Sequence, residues 1–314
     1  MGRYVIKRIL STIPVLFLVS VLVFLFLHLI PGDPIRILVG VRGTPEQIQQ
    51  LTKQFHLDKP LAVQYLIWIR SALKGDLGIS IRSNMPVTKL IVSRMPVTAS
   101  LATFAMLFAL IIAVSAGVIA SAKRNTVYDF IVMVFANLGV SIPQFLMGIL
   151  LILFFALTLS LLPSIGYTRF FESPFGYFKH IILPALALGV SIAASITRVT
   201  RSHMIEVLGK DYIKTARSKG VSESKVIMKH ALKNALLPVV TLAGMFYAST
   251  LGGTIIIEEI FALPGIGRLA LQSIFNRDYP VVQGVVLFVA VINVSFNLVI
   301  DFLYRFLNPR IELK

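Results

Sequence analysis

The sequence has no cysteine in its 314 residues. That excludes disulfides, thiol nucleophiles, thiolate zinc sites and cysteine-held iron–sulfur clusters. Charge is scarce: 14% of residues are Asp, Glu, Lys or Arg, against roughly 25% in a soluble domain. Acidic residues are the scarcest, 14 against 30 Lys and Arg, which leaves a net charge of +16. The five histidines, His28, His56, His180, His203 and His230, are scattered without ligand spacing, so no metal site is expected. There is no Gly-x-x-x-x-Gly-Lys-Ser/Thr phosphate loop, so any ATP that drives this protein must be bound by another polypeptide. Ser141 lacks a Gly-x-Ser-x-Gly setting, and no Ser/His or double-aspartate pair stands inside an apolar run. No catalytic residue and no resident cofactor are therefore expected.

What the chain has is apolar length. Hydrophobic residues make up 56% and the mean hydropathy is +0.84, more than one soluble core of this size can hide. The excess of cations then reads as residues gathered beside the cytoplasmic leaflet rather than as a nucleic-acid surface. Ile9 to Ile30 is almost uncharged and follows Arg3, Lys7 and Arg8. It is too long for the apolar part of a signal peptide, and it reads as a retained first span with a cytoplasmic N-terminus. Residues 31–95 are polar. They open with the turn Pro31-Gly32-Asp33-Pro34 and hold a helix start at Thr44-Pro45-Glu46, where an N-cap residue, a proline and an acid stand in the favoured order.

Five further apolar stretches follow, at Val97–Ala120, Phe130–Leu162, Ile181–Ile196, Leu236–Ile257 and Val281–Leu307. The second of these is too long for one simple span, and Pro143 should break it. The expected fold is therefore an all-α membrane protein of six transmembrane helices. Its parts are the cytoplasmic N-terminus and first helix at 1–30, an extracytoplasmic insertion at 31–95, and a membrane core at 96–308 with a cytoplasmic loop at 198–235. Seventeen Lys and Arg fall in the segments this topology assigns to the cytoplasm, against four, Arg169, Lys179, Arg268 and Arg277, in the two short outer loops. Long translocated segments such as 31–95 largely escape that bias.

Thr197 to Ala235 is the least membrane-like stretch of the second half. It reads as two helices joined by a turn at Gly220, a residue suited to a left-handed cap. Ser222 can cap the second helix, and Glu223 suits its first turn. Lys225, Lys229 and Lys233 fall at i, i+4 and i+8 as one basic stripe, with Met228, Leu232 and Ala235 as an adjacent apolar one. Such a pair either offers itself to another protein or lies on lipid headgroups.

Lys214-Thr215-Ala216-Arg217-Ser218-Lys219-Gly220 resembles the EAA loop of ABC-importer permeases. Ala216 and Gly220 match its pattern, while Lys214 stands where an acid is usual. Asp211-Tyr212 with Thr215-Ala216-Arg217 and Gly220 is the form found in dipeptide, oligopeptide, glutathione and nickel permeases. The likeness continues through RYVIKRIL and LIPGDP near the start, GDLGIS at 75–80, SIPQFLMGILLI at 141–152, GGTIIIEEIFALPGIGRL at 252–269 and NRDYPVVQG at 276–284. This ordered series identifies the chain as a member of that binding-protein-dependent family. The resemblance implies the type I permease fold in a bacterial or archaeal inner membrane. It also implies a second homologous permease, two ATPase subunits carrying ATP and Mg²⁺, and an extracytoplasmic solute-binding protein. It gives Asp211, Tyr212, Thr215, Ala216, Arg217, Gly220, Ser222 and Lys225 to the ATPase-coupling loop. Peptides, glutathione, nickel chelates and opines are all open as solutes.

The remaining polar candidates keep two readings each. Asn293, Asn297 and Asp301 form one stripe of the last span and either line the solute path or hydrogen-bond between helices. Glu258 and Glu259, after Gly252-Gly253, form an outer gate or a binding-protein contact, or are an ordinary interfacial pair. A secondary transporter would show inverted repeats and charges at mid-membrane, and neither is evident.

Overall fold

The structure is a computed structural model that describes residues 2–29, 44–54, 58–252 and 254–307. Among these there is no β-strand, only an isolated bridge between Ile79 and Pro86. The helices are α1 (Gly2–Leu29), α2 (Pro45–Gln54), α3 (Leu61–Leu73), α4 (Val87–Ala122), α5 (Val127–Ser141), α6 (Gln144–Leu151), α7 (Pro174–Leu208) and α8 (Asp211–Ser218). They continue with α9 (Glu223–Lys225), α10 (Leu232–Leu251), α11 (Ile255–Ile260), α12 (Ile266–Phe275) and α13 (Tyr279–Leu307). Wider π-helical turns follow α6 at Ile152–Thr158 and α9 at Val226–Ala231.

Among the described residues four helices are long and apolar enough to cross a membrane, α4, α7, α9 to α10 and α13, and the pair of α5 with α6 makes a fifth. Helix α1 stands where the first of the six expected spans lies. Its 28 residues extend roughly 42 Å at 1.5 Å per residue, with an apolar stretch at Leu10–Leu25. The second span begins earlier than its apolar run suggested, because α4 starts at Val87 and runs 36 residues.

The break at Pro143 falls where the sequence places it. Ile142 is extended, at φ −81° and ψ 120°, as steric clash with a following proline ring demands. Ser141 donates its hydroxyl to the Asn137 carbonyl at 2.9 Å, competing with the helix's own bonding. The consequence is larger than a kink: the two halves are bent by 103°.

The chain divides into two compact units. The first comprises residues 1–98 and 264–295. Its core joins Val87 and Ile91 of α4 to Ile266, Leu269 and Ala270 of α12 and to Val281 and Val285 of α13. A buried carboxylate holds the loop before α4. Asp278 accepts from the Ser80 hydroxyl at 2.5 Å and from the Ile81 amide at 3.1 Å.

The second unit comprises residues 99–263 and 296–314. Helix α7 is its centre, packing on α5, α6 and α10. Its backbone comes unusually close to α4. A Cβ on Gly189 would lie 2.7 Å from Phe108 and 3.0 Å from the Ala105 carbonyl oxygen, so only glycine permits this approach.

Candidate functional site

The segment after α7 folds as a compact, self-bonded helix pair. Glu206 in the last turn of α7 pairs with Lys210 at 2.9 Å, and that carboxylate raises the Lys210 ammonium above its usual range. Helix α8 then starts at Asp211, an acid favourable to the helix dipole. It ends at Ser218, with Lys219 as its cap. Gly220 follows at φ +75°, with nothing within 4 Å of where a Cβ would stand. The turn therefore needs glycine for its backbone angle alone.

Across this turn Arg217 donates to Glu223 through Nε at 3.0 Å and Nη2 at 2.6 Å. The forked geometry matches two donors to two carboxylate oxygens, and it holds the guanidinium above its usual pKa. Ser222 occupies the N-cap position of α9, as its residue type suggested, but its side chain makes no capping bond.

The interior of the pair is apolar. Ile213, Val226 and Ala231 are fully buried with Met204, Val207 and Ala235, and Ala216 packs against them. Asn234 donates to the Tyr212 hydroxyl at 2.8 Å, fastening α8 to α10. The Thr215 hydroxyl donates back to the Asp211 carbonyl at 3.0 Å.

The apolar stripe is split in the structure: Met228 is 57% exposed, while Ala235 belongs to the buried cluster and Leu232 packs against it. The π turn at Val226–Ala231 shifts the register to i→i+5, and the side chains buried along this stretch are Val226, Ala231 and Ala235. Lys225, Lys229 and Lys233 all remain exposed. The outer surface of the pair thus presents Tyr212, Met228 and three lysines around a rigid frame.

The other candidates are arranged differently. Gly252 caps α10 with right-handed angles, and Gly253 lies outside the described residues. The two acids that follow are split: Glu258 is fully buried, with the Thr254 hydroxyl 3.5 Å away, while Glu259 is exposed. Around Glu258, Phe261 packs against Gly148 of α6, and the Gly166 amide donates to the Phe261 carbonyl at 3.0 Å. In α13, Asn293 donates to the Val289 carbonyl at 3.1 Å within its own helix, and Asn297 is exposed.

A pair that sequence reasoning missed lies at the end of α7. Arg201 donates to Asp129 of α5 through Nε at 2.5 Å and Nη2 at 2.7 Å. Only the carboxylate's position in space reveals it, since 72 residues separate the partners.

Comparison with known proteins agrees with the resemblance over nearly the whole chain. The family model described as binding-protein-dependent transport system inner membrane component matches residues 109–313, and its N-terminal companion matches residues 1–102. The chain belongs to this family. As a binding-protein-dependent permease it is the membrane component of an ABC importer, a multi-pass inner-membrane protein. A permease protein of Brucella suis biovar 1 (strain 1330), named for a peptide transport system, is 42% identical over 312 residues, covering 99% of both chains. The glutathione transport system permease protein of Escherichia coli O6:H1 (strain CFT073) is 44% identical over the full length of both. Among solved structures, a chain of the MetNI methionine ABC transporter in an inward facing conformation gives a TM-score of 0.58 at 19% identity. It covers 70% of this chain and 96% of that one. At that identity the likeness shows the shared type I permease fold.

Proposed function

We propose that this permease is a non-catalytic subunit whose helix pair at 198–235 receives the mechanical stroke of a separate ATPase. The observation that carries the reading is the stapled pair itself. A lipid-facing loop has no need of a forked ion pair and a buried core, whereas an element that transmits a push must not bend. The ATP and Mg²⁺ belong to two ATPase subunits, and no cofactor is assigned to this chain. A second homologous permease completes the path, and an extracytoplasmic binding protein delivers the solute. The solute class is that of the named relatives, peptides including glutathione, or a related small solute such as a nickel chelate. The membrane is a bacterial inner membrane, since the named relatives come from bacteria.

The open space around Gly220 decides the test. Asp and Asn enter the left-handed region with modest strain, whereas a β-branched residue does not. Gly220→Val should leave the permease in the membrane, cut ATPase co-purification at least tenfold and abolish solute-stimulated ATP hydrolysis. Gly220→Asn should retain most of both. If the valine variant binds and stimulates the ATPase like the parent protein, the coupling assignment is wrong.

A further inference from the structure

Helix α7 is otherwise closely packed, but one narrow face of it is polar and open. Ser191, Ser195, Arg198 and Ser202 are spaced by four, three and four residues. At 100° per residue they fall within about 60° of arc. Gln144 of α6 extends the stripe by donating to the Ser191 hydroxyl at 2.9 Å. Ser195, Arg198, Ser202 and His203 line an open recess of about 540 Å³ whose other wall holds Leu242 and Phe246 of α10.

The two arginines here have opposite fates. Arg201 is consumed by Asp129. Arg198 is exposed and makes no hydrogen bond or ion pair among the described residues. The nearby acid Glu206 is already paired with Lys210.

Such a face is costly against hydrocarbon, so it must meet water, solute or protein. An arginine reaching for headgroups would account for Arg198 alone. It would not account for Ser195, Ser191 and Gln144, which carry the stripe back into the span.

We propose that this stripe lines the inner part of the solute path and that Arg198 is its anion contact, recognising the carboxylate of a passing solute. The inference rests on the reading of this chain as half of a translocation path. A guanidinium offers a fork matched to a carboxylate, and an unpaired one lends an open recess a positive potential that concentrates anions. The neighbouring hydroxyls then supply neutral hydrogen bonds that do not trap the solute.

The absence of native cysteine makes the test direct. Ser195→Cys is introduced into the assembled importer, with its ATPases, in proteoliposomes. The thiol is titrated with an anionic sulfonatoethyl and a cationic trimethylammonium-ethyl methanethiosulfonate, with and without Arg198→Gln. The proposal expects both reagents to react, with the ratio of anionic to cationic rate falling roughly tenfold when Arg198 is replaced. An unchanged ratio overturns the anion contact. No reaction in any nucleotide state, in complexes that still hydrolyse ATP, shows the stripe to be covered by protein or lipid and overturns the path assignment alone. A chain that never retains ATPase subunits, even without substitutions, overturns the permease reading and this inference with it.

Discussion

Asp129 and Arg201 show what a single ion pair does where water is scarce. The carboxylate side chain is 6% exposed and the guanidinium 24%. A third donor, the Asn125 amide, reaches the same carboxylate at 3.0 Å from a left-handed turn. The pair therefore sews the α4–α5 turn to the end of α7. Removing one partner strands a buried charge, which costs about 3–5 kcal/mol. Asp129→Ala or Arg201→Ala should each lower the thermal midpoint of the purified protein markedly. The double variant should be less damaged than the sum of the two, because neither charge is then left alone. Strictly additive losses would show that the two residues do not act as a pair. In the sequence Arg198 and Arg201 look alike, as two cations at the start of the 198–235 loop. Their separation into one paired and one open guanidinium depends on where α5 packs, which no local spacing records.

At the scale of elements, what could be read from sequence follows from how local each cause is. The break at Pro143 and the left-handed turn at Gly220 come from the residue's own backbone chemistry, and both stand where the sequence sets them. The π turn at Val226–Ala231 interrupts the regular helical period, so the stripe that helical spacing draws through Met228, Leu232 and Ala235 is split, with Met228 outside. The split of Glu258 from Glu259 is likewise tertiary: α11 is only six residues long, and its register is fixed by Phe261 against Gly148. Within that segment Ile256 is 59% exposed. We propose that residues 252–267 form the outer gate, closed without nucleotide. A cysteine at Ile256, paired with one at the facing position of the partner permease, should crosslink efficiently without nucleotide and poorly with trapped ATP. The crosslink should also block transport once formed. Equal crosslinking in both states with transport intact would instead make the segment a static packing site.

Across the whole molecule, burial is uneven in a way that suits a subunit. In α7, 67% of the apolar window is buried within the chain, and in α13 only 6%. A helix left that bare has its remaining faces to give to lipid or to another chain. The same logic applies to the helix pair after α7, whose interior is complete while Tyr212, Met228 and the lysines face outward. We propose that an ATPase covers this surface. Met228→Cys in the otherwise cysteine-free chain, paired with a cysteine introduced on the facing surface of the ATPase, tests it most directly, by treating the assembled importer with a short bismaleimide and identifying the adduct. The account predicts a covalent product with the ATPase subunit, and slow reaction of the same thiol with a bulky maleimide until the ATPase is stripped away. A thiol that labels freely in the assembled complex and never links to the ATPase would contradict it.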